Sequence, residues 1–355
     1  MITFESVSKT YPGGTQALEN LDLDIATGSF TVLVGPSGCG KTTSMRMINR
    51  MATPTSGRVL VNGQDVAEIR PVSLRLGIGY VLQNGGLFPH RTVIDNIATV
   101  QRLLGLDKKA ARAKAYEALE RVGLNASLAK RFPAQLSGGQ QQRVGVARAL
   151  AADPPILLMD EPFSAVDPIV REELQQEVRR LQAEIKKTIV LVTHDIDEAL
   201  LLGDKIAVMA PGGTLQQYAT PHEILTRPAN GFVGSMVSKD RGFRALSFST
   251  LDEFSSTALP PRGADGRISM AAVAPGWMLD LDPEARTALW INEAGTTFPA
   301  ATMVRRGDSV RSALDAVLAS PVSAALLLDA NDVPGAYITL EDLAPHLRPS
   351  PVAGA

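Results

Sequence analysis

The stretch Gly35-Pro-Ser-Gly-Cys-Gly-Lys41-Thr42 decides the fold of this 355-residue chain. It fits the pattern G-x-x-x-x-G-K-[ST], follows the β-rich apolar run of residues 29–34 and precedes a predicted helix over residues 42–51. Glycines let the backbone turn tightly with its N–H groups pointing inward, and a helix N-terminus attracts anions. We therefore predict a phosphate-binding loop between a buried strand and a helix.

Two side chains of this loop have predicted roles in binding a nucleoside triphosphate. Lys41 would neutralise the β and γ oxygens, and the hydroxyl of Thr42 would bind Mg²⁺. Cys39 occupies an unspecified position of the pattern, so we expect a small side chain without chemistry of its own. The predicted nucleotide contacts in this segment are Gly35, Pro36, Ser37, Gly38, Cys39, Gly40, Lys41, Thr42 and Thr43.

A pair of acids completes the predicted site. Asp160 and Glu161 follow the apolar run of residues 156–159. A buried strand that ends in an acid would bring Asp160 to the same sheet edge as the loop, where it can hold Mg²⁺ through water. Glu161 could then act as the general base for an attacking water, which is usually worth about 10²- to 10⁴-fold in rate.

Composition limits the class of protein. The chain has 45% apolar and 20% charged residues, as globular proteins do, and Lys+Arg 35 against Asp+Glu 37 gives a net charge of −2. No overall field attracts it to nucleic acid or anionic lipid, and we expect no nucleic-acid partner. One cysteine, no signal peptide and no apolar run long enough to cross a bilayer favour a reducing, cytosolic location.

Strand-like and helix-like segments alternate along the first two thirds of the chain. Residues 188–193 form another apolar run, and helical patterns cover residues 108–122 and 171–185. This alternation predicts an α/β domain with a parallel sheet. Residues 84–150 are mostly helical in pattern, so we expect a helical subdomain inserted between the strands of residues 29–34 and 156–159.

The character of the sequence changes after about residue 240. Residues 247–262 are rich in Ser, Thr and Pro, which predicts a linker. Beyond it, a hairpin-like pattern at residues 277–291 recurs at residues 325–338 with the same spacing, which indicates either two copies of a small α/β unit or a chance similarity. We predict an ATPase domain over residues 1–240, a linker over 241–261, a second domain over 262–346 and a disordered tail over 347–355.

The stretch Leu136-Ser-Gly-Gly-Gln140 precedes a predicted helix and suggests a second anion site at an uncapped helix N-terminus. Its position between the loop and the acid pair resembles the signature motif of the ABC ATPases. The resemblance implies a RecA-like parallel-sheet core with a helical subdomain. It also implies a head-to-tail homodimer in which the signature of one copy closes over ATP bound to the other. The implied signature contacts are Ser137, Gly138, Gly139 and Gln140.

Other landmarks of that family occur in the expected order. Tyr11 resembles the aromatic residue that stacks on adenine, and Gln83 resembles the glutamine that contacts Mg²⁺ and the attacking water. Residues 164–167, which end at Asp167, are similar to the segment that crosses the dimer interface. His194 is similar to the switch histidine that binds the γ-phosphate. The resemblance therefore implies catalytic roles for Lys41, Gln83, Glu161 and His194, with ATP and Mg²⁺ as ligands.

Three kinds of ABC ATPase are compatible with these motifs. Translation factors carry two cassettes in one chain, and chromosome-structure ATPases interrupt the cassette with a long coiled coil. A transporter ATPase fits better than either. Because the chain has no membrane-spanning run, the resemblance implies separate permease subunits and a peripheral position on the cytoplasmic face of the cell membrane.

Within the importers, residues 83–96, 160–171 and 238–244 look like the quaternary-amine uptake group. Its substrates are glycine betaine, carnitine, choline and proline, delivered by an extracytoplasmic solute-binding protein. Amino acids or polyamines are the alternative substrates. Residues 310–343 are similar to a cystathionine-β-synthase-like (CBS) motif, whereas residues 277–291 lack a clear following helix. The second domain is thus expected to be a degenerate CBS-like regulator, or else an appendage for dimerisation or stability.

Overall fold

The structure is a computed structural model, and it describes residues 1–83, 85–164, 166–238, 241–282, 287–300 and 303–347. Its internal contacts divide the chain into two compact units, Met1–Val237 and Ser238–Ala355. The division falls close to the domain boundary predicted at residue 240.

The described residues of the first unit form two β-sheets. Its strands are β1 (Ile2–Thr10), β2 (Gln16–Ile25), β3 (Phe30–Val34), β4 (Ser56–Val61), β5 (Gln64–Asp65), β6 (Ile78–Val81), β7 (Ile156–Asp160), β8 (Thr188–Thr193), β9 (Lys205–Ala210) and β10 (Thr214–Ala219). One sheet has the order β2-β1-β4-β5 and is antiparallel. The other has the order β10-β9-β3-β8-β7-β6, in which only the edge strand β10 is antiparallel.

Helices occupy most of the connections in this unit. They are α1 (Lys41–Ile48), α2 (Pro71–Leu76), α3 (Val93–Ile97), α4 (Thr99–Leu103), α5 (Lys108–Arg121), α6 (Gly138–Leu150), α7 (Pro168–Ile185), α8 (Ile196–Leu202), α9 (Pro221–Thr226) and α10 (Gly231–Val237). Short 3-10 helices lie at Ala126–Lys130 and Pro133–Gln135. The described residues between β6 and β7 contain helices α3 to α6 and no strand, as the helical pattern predicted.

The helical insertion lies between β3 and β7, as the sequence predicted. Three strands that the sequence did not indicate, β4, β5 and β6, come before it. The intervening strands β4 and β5 carry exposed residues, and β6 spans only Ile78–Val81. Strands this short or this exposed lack the continuous apolar run that identifies a buried strand.

The three strands that carry the predicted site are buried along their whole length. Every residue of β3, β7 and β8 is buried, as expected for parallel strands covered on both faces. In register, Val34 lies beside Thr193, and Asp160 lies beside Val192. The carboxyl ends of these strands therefore meet at one edge of the sheet, where open α/β sheets bind their ligands.

The core of the first unit combines both sheets. One cluster of buried side chains includes Phe4 of β1, Leu33 of β3, Met45 of α1 and Leu158 of β7. Helix α1, which follows the loop, thus rests on the same core as the strands that flank it. Burial of these apolar side chains stabilises the position of the loop and its helix at the sheet edge.

The described part of the second unit is built from short strands, three α-helices and two 3-10 helices. Its elements are β11 (Thr257–Ala258), β12 (Ile268–Ser269), β13 (Met278–Asp282), β14 (Thr287–Ile291), β15 (Thr297–Pro299), β16 (Met303–Val304), β17 (Ala324–Leu328), β18 (Pro334–Thr339), α11 (Arg241–Ala245), α12 (Val310–Ala319) and α13 (Leu340–Leu347). They form sheets with the orders β11-β18-β17-β16 and β12-β13-β14-β15. Each sheet contains one of the two predicted hairpins, β13–β14 and β17–β18.

The two hairpins have different surroundings. The second follows a parallel connection from β16 through α12 to β17, and α13 comes after β18. The first is followed by β15, and no helix occurs in the described residues 292–300. The sequence showed no clear helix after the first hairpin, and the described residues 292–300 contain none.

The segment predicted as a linker has regular structure and packs through some of its side chains. Residues 241–261 contain α11, two short 3-10 helices and β11. Leu246, Leu251 and Phe254 are buried in a cluster with Val310 of α12 and Ile338 of β18. Composition hid this role because the Ser and Thr residues outnumber the few apolar side chains that pack.

Two remaining expectations concern the tail and the membrane. Leu347 ends α13, and the rest of the predicted disordered tail lies outside the described residues. Among the described residues, no helix is both long enough and apolar enough to cross a bilayer.

Candidate active site

The loop between β3 and α1 is closely packed against neighbouring backbone. A Cβ atom on Gly35 would meet the carbonyl oxygen of Met209, and one on Gly40, at φ +90°, would meet that of Ala17. Neither position could hold a side chain without moving a strand. The two glycines are thus required by the packing as well as by the turn.

Lys41 is buried within its own loop. Its Nζ donates hydrogen bonds to the carbonyl oxygens of Gly35 (2.7 Å) and Pro36 (2.9 Å). A buried ammonium needs such partners because an unpaired charge in the interior is very costly. Lys41, which is predicted to bind phosphate, is therefore held at the loop, and its ammonium donates to carbonyl oxygens of the loop.

The acid at the end of β7 connects the loop to the neighbouring strand. The hydroxyl of Thr42 donates to Oδ1 of Asp160 (3.0 Å), and the hydroxyl of Tyr80 donates to Oδ2 (3.3 Å). Burial raises the pKa of Tyr80 to about 12, and the negative charge of Asp160 adds to the effect. Tyr80 thus remains a hydrogen-bond donor at neutral pH. Two of the three predicted Mg²⁺ ligands, Thr42 and Asp160, are in direct contact.

Glu161 lies at the centre of the predicted catalytic group. Its backbone has φ +44°, a left-handed conformation that is uncommon outside glycine, and its N–H donates to the carbonyl of Val192 (2.9 Å). Oε2 of Glu161 is 3.3 Å from Nδ1 of His194 and 3.5 Å from Nε2 of Gln83. Unusual backbone conformations of this kind are concentrated at functional sites. The structure thus brings the predicted base, switch histidine and glutamine together.

The segment that follows Glu161 is joined to the same group. Nε2 of Gln83 donates to Oγ of Ser164 (3.1 Å), and that hydroxyl donates to the carbonyl of Glu161 (2.9 Å). Asp167, the predicted interface residue, is exposed. Four residues of the quoted segments, Asn84, Ala165, Lys239 and Asp240, lie outside the described residues.

The signature turn corrects the expectation of an uncapped helix. Ser137 caps α6: its hydroxyl accepts the N–H of Gln140 (3.3 Å), and the Gln140 side-chain oxygen accepts the N–H of Ser137 (3.2 Å). This reciprocal pair is a capping box. Gly139 is buried, and a Cβ there would meet the side chain of Val170 on α7.

Tyr11 lies at the mouth of the loop. Its ring is exposed, its hydroxyl is 3.5 Å from Oγ1 of Thr43, and Nζ of Lys9 is 5.1 Å from the ring centroid. An exposed ring beside a phosphate loop is suited to stacking on a flat base.

Sequence reasoning missed two residues of this region. Tyr80 contacts Asp160, and Arg148 of α6 donates to the carbonyl oxygens of Gly85 (2.9 Å) and Gly86 (2.7 Å), which follow Gln83. Arg148 therefore joins the helix after the signature turn to the segment that carries Gln83. Neither residue belongs to a pattern with a known spacing. The one available signal was a tyrosine in a short strand directly before Gln83.

The oxygen atoms at this edge are suitable for Mg²⁺. The hydroxyl of Thr42 and the carboxylate of Asp160 are hard donors, and Mg²⁺ prefers one or two carboxylates supplemented by substrate phosphates and water. Among the described residues, no group of three or more His, Cys, Asp or Glu forms a metal cage. The residues thus fit a metal that arrives with phosphate.

Comparison with known proteins agrees with this geometry. Residues 18–164 match the family described as ABC transporter. The glycine betaine/proline betaine transport system ATP-binding protein ProV of Escherichia coli (strain K12) is 39% identical over 350 residues, covering 96% of this chain and 83% of that protein. The chain belongs to the ABC transporter ATP-binding family. The resemblance seen in its motifs is confirmed.

Two further matches describe where this ABC chain lies in its family. The glycine betaine/carnitine/choline transport ATP-binding protein OpuCA of Bacillus subtilis (strain 168) is 51% identical over 241 residues, covering 68% of this chain. The match spans 63% of OpuCA, less than two thirds of its length. Among solved structures, the dimeric post-hydrolysis state of the ATP-binding cassette MJ0796 with ADP and Pi has TM-score 0.57 and 35% identity, covering 62% of this chain and 99% of that one.

Proposed function

We propose that this chain is the ATP-hydrolysing subunit of an ABC importer for a quaternary ammonium compatible solute. The observation that carries the proposal is the contact of Glu161 with His194 and Gln83 beside the phosphate loop. A base, an orienting amide and a phosphate-sensing imidazole at one sheet edge suit hydrolysis of a nucleoside triphosphate.

ATP binding would use the loop and Tyr11. The loop N–H groups and the start of α1 would hold the phosphates, and the ammonium of Lys41 would turn from the carbonyls of Gly35 and Pro36 to the β and γ oxygens. The exposed ring of Tyr11 would stack on adenine. When bound, Mg²⁺ would be held by Thr42, Asp160 and the side-chain oxygen of Gln83, and it would neutralise charge on the phosphates.

Hydrolysis would depend on Glu161 as general base. Its carboxylate would accept a proton from the water that attacks the γ-phosphorus, while the amide of Gln83 orients that water. His194, 3.3 Å from the carboxylate, would hydrogen-bond the γ-phosphate and keep Glu161 directed toward the water. The left-handed backbone conformation of Glu161 would direct its side chain to this position.

The other half of each site would come from a second copy. Ser137, Gly138, Gly139 and Gln140 would close over the nucleotide bound to the partner, as the dimeric neighbour with ADP and Pi suggests. The Ser137 hydroxyl accepts the N–H of Gln140 and would donate its own proton to a phosphate oxygen of the partner's nucleotide. Asp167, which is exposed, would lie at the same interface.

The substrate and the remaining partners follow from the relatives. Two of them are named for transport of glycine betaine together with carnitine and choline or with proline betaine. We therefore assign a quaternary ammonium solute, separate permease subunits, an extracytoplasmic solute-binding protein and a peripheral position on the cytoplasmic face of the membrane.

The second unit would act as a CBS-like regulator. The succession β16-α12-β17-β18-α13, with one parallel and one antiparallel pairing, supports a single complete motif. The shorter set around β13 and β14 supports a degenerate one. A regulator of this kind would change transport about 5- to 150-fold in response to ionic strength or an adenine nucleotide.

Uptake in cells tests the substrate class. Cells that lack the chain are supplied with the wild-type chain or Glu161→Gln, and accumulation of radiolabelled glycine betaine, an amino acid and a polyamine is measured. We expect only the wild-type chain to restore uptake, and only of glycine betaine. Restored uptake of the amino acid or polyamine alone would overturn the assigned substrate class.

A further inference from the structure

One buried charge has no role in the site described so far. Among the described residues, the buried side chains that carry a formal charge are Lys41, Asp160 and Glu198. The first two belong to the phosphate loop and the end of β7. Glu198 lies in α8, is 5% exposed, and stands where an apolar side chain would pack more cheaply.

Glu198 is hydrogen-bonded to the residue before His194 and, through that residue, to the one after it. The hydroxyl of Thr193 donates to Oε2 of Glu198 at 2.6 Å, and the same hydroxyl accepts the N–H of Asp195 at 3.0 Å. One carboxylate therefore fixes the hydroxyl of the residue before His194, and through it the peptide after His194. Thr193 is 2% exposed, so water does not compete for these bonds.

The imidazole itself is held much less firmly. The side chain of His194 is 56% exposed, and its Nδ1 lies 3.3 Å from Oε2 of Glu161. Its position is therefore set chiefly by the backbone between Thr193 and Asp195. A small shift of a catalytic group can cost on the order of 10²-fold in rate.

The other oxygen of Glu198 leads to helix α7. Nε2 of Gln175, which is buried, donates to Oε1 of Glu198 at 3.3 Å. At the start of the same helix, the backbone N–H of Arg171 donates to the carbonyl of Asp167 at 2.8 Å. Burial raises the pKa of Glu198, while the hydrogen bond from Thr193 and the positive charge of Arg171 oppose that shift. The carboxylate thus joins the histidine segment to the helix that begins after the exposed Asp167.

We propose that Glu198 is a positioning residue for hydrolysis: through Thr193 it fixes His194, and through Gln175 it couples His194 to helix α7 and the Asp167 segment. The inference rests on the proposed ATPase function. In this way, a shift of the Asp167 segment would reach His194 of the same chain through α7, Gln175, Glu198 and Thr193.

Glu198→Gln tests the carboxylate in the full-length chain. The substitution keeps the side-chain volume and removes the negative charge. Burial raises the pKa of Glu198, so the charged form of this carboxyl is the one that burial disfavours. We expect kcat for ATP to fall about 10- to 100-fold, with KM changed less than about 2-fold, because the phosphate loop is untouched. The matched control is Asp197→Asn, an exposed neighbour that loses the same charge and should keep wild-type kcat.

A double-mutant cycle separates positioning from folding. In a His194→Ala background, Glu198→Gln should reduce the residual single-turnover rate no further, because Glu198 acts through the histidine. An equal loss in both backgrounds would overturn the proposal, since a purely structural defect does not depend on His194. Unchanged kcat in Glu198→Gln alone would overturn it too.

Thr193 supplies a second pair of variants if Glu198→Gln folds poorly. Thr193→Val removes the donor at nearly constant volume, and Thr193→Ser retains it. The proposal requires a loss in the first and recovery in the second, and equal activity of the two would overturn it. The proposed function fails separately: a wild-type chain without ATPase activity overturns both, whereas active wild type with an active Glu198→Gln overturns only the positioning role.

Discussion

The phosphate loop and the signature turn both begin a helix, yet they differ in what completes them. At the loop, Lys41 and Thr42 already contact the groups around them, and Asp160 and Glu161 lie at the same sheet edge. At the signature turn, Ser137 and Gln140 satisfy each other. The first is assembled from several distant segments of one chain, and the second is closed within four residues.

This difference indicates how work is divided between the two places. A loop with its acids in position can bind and orient phosphate within a single chain. At the turn, the Ser137 hydroxyl accepts the N–H of Gln140, and a hydroxyl that accepts in this way can still donate its proton to a ligand. The comparison therefore predicts strong chemical defects from changes at the loop edge, and defects that a second copy can complement at the turn.

The largest effect is expected at Glu161. Glu161→Gln keeps the size of the side chain but removes the base, so hydrolysis should fall at least about 100-fold, or about 2.7 kcal/mol of barrier. ATP should still bind and hold a dimer, which light scattering with and without Mg-ATP would detect. Glu172→Gln, an exposed acid of α7, is the control. A monomer under both conditions with near-normal turnover contradicts the assignment.

Mixing two inactive variants tests whether the turn serves a partner. A Lys41→Ala chain and a Ser137→Arg chain can form a mixed dimer with one site containing both intact halves. If that site turns over alone, random pairing should restore roughly a quarter of wild-type ATPase activity. The measurement requires proof of mixed dimers by affinity tags. Demonstrated mixed dimers that remain inactive would show that the two regions do not share a site.

A smaller effect is expected at Tyr80. Tyr80→Phe removes one hydrogen bond to Asp160 while Thr42 retains the other. Loss of a partner behind a metal ligand commonly costs about 10- to 100-fold in metal affinity or activity, and we expect the lower end. The Mg²⁺ concentration for half-maximal ATPase should rise about 10-fold. Tyr116→Phe, an exposed tyrosine of α5, is the control, and equal Mg²⁺ dependence of both variants would contradict the role.

The smallest effect is expected from removing the second unit. A chain ending at Val237 should keep basal ATPase within about 2-fold, because both compared regions lie in the first unit. A chain ending at Arg262 should aggregate, since it retains Leu246, Leu251 and Phe254 without the helix and strands that bury them. Solubility and ATPase rates of the two truncations test these two expectations.

The same truncation tests the proposed regulatory role. If the reconstituted transporter keeps its full response to salt without the second unit, the sensor lies elsewhere.

Local spacing made the loop edge predictable from sequence. The loop motif, the strand that ends in Asp160 and the strand before His194 each depend on short stretches whose burial is visible as an apolar run. The parallel arrangement then brings their ends together without further information. The roles of Gln83 and His194 came from the family resemblance, and β6, the short strand before Gln83, was not identified from the sequence.

Other features depended on contacts that composition does not reveal. The capping box at Ser137 was encoded by its Ser-x-x-Gln spacing, but the intervening glycines suggested an open turn. The supposed linker packs through three apolar residues scattered among polar ones. Tyr80, Arg148 and Glu198 act through tertiary neighbours distant in sequence or through single hydrogen bonds, which no local periodicity records.

The carbonyl oxygens that hold Lys41 have a consequence for how tightly nucleotide is retained. Because its ammonium already donates to Gly35 and Pro36, an incoming phosphate exchanges hydrogen bonds and does not simply add them. The net free energy gained when Lys41 engages a phosphate is therefore smaller than the sum of the new hydrogen bonds, which limits how tightly this loop would hold a nucleotide.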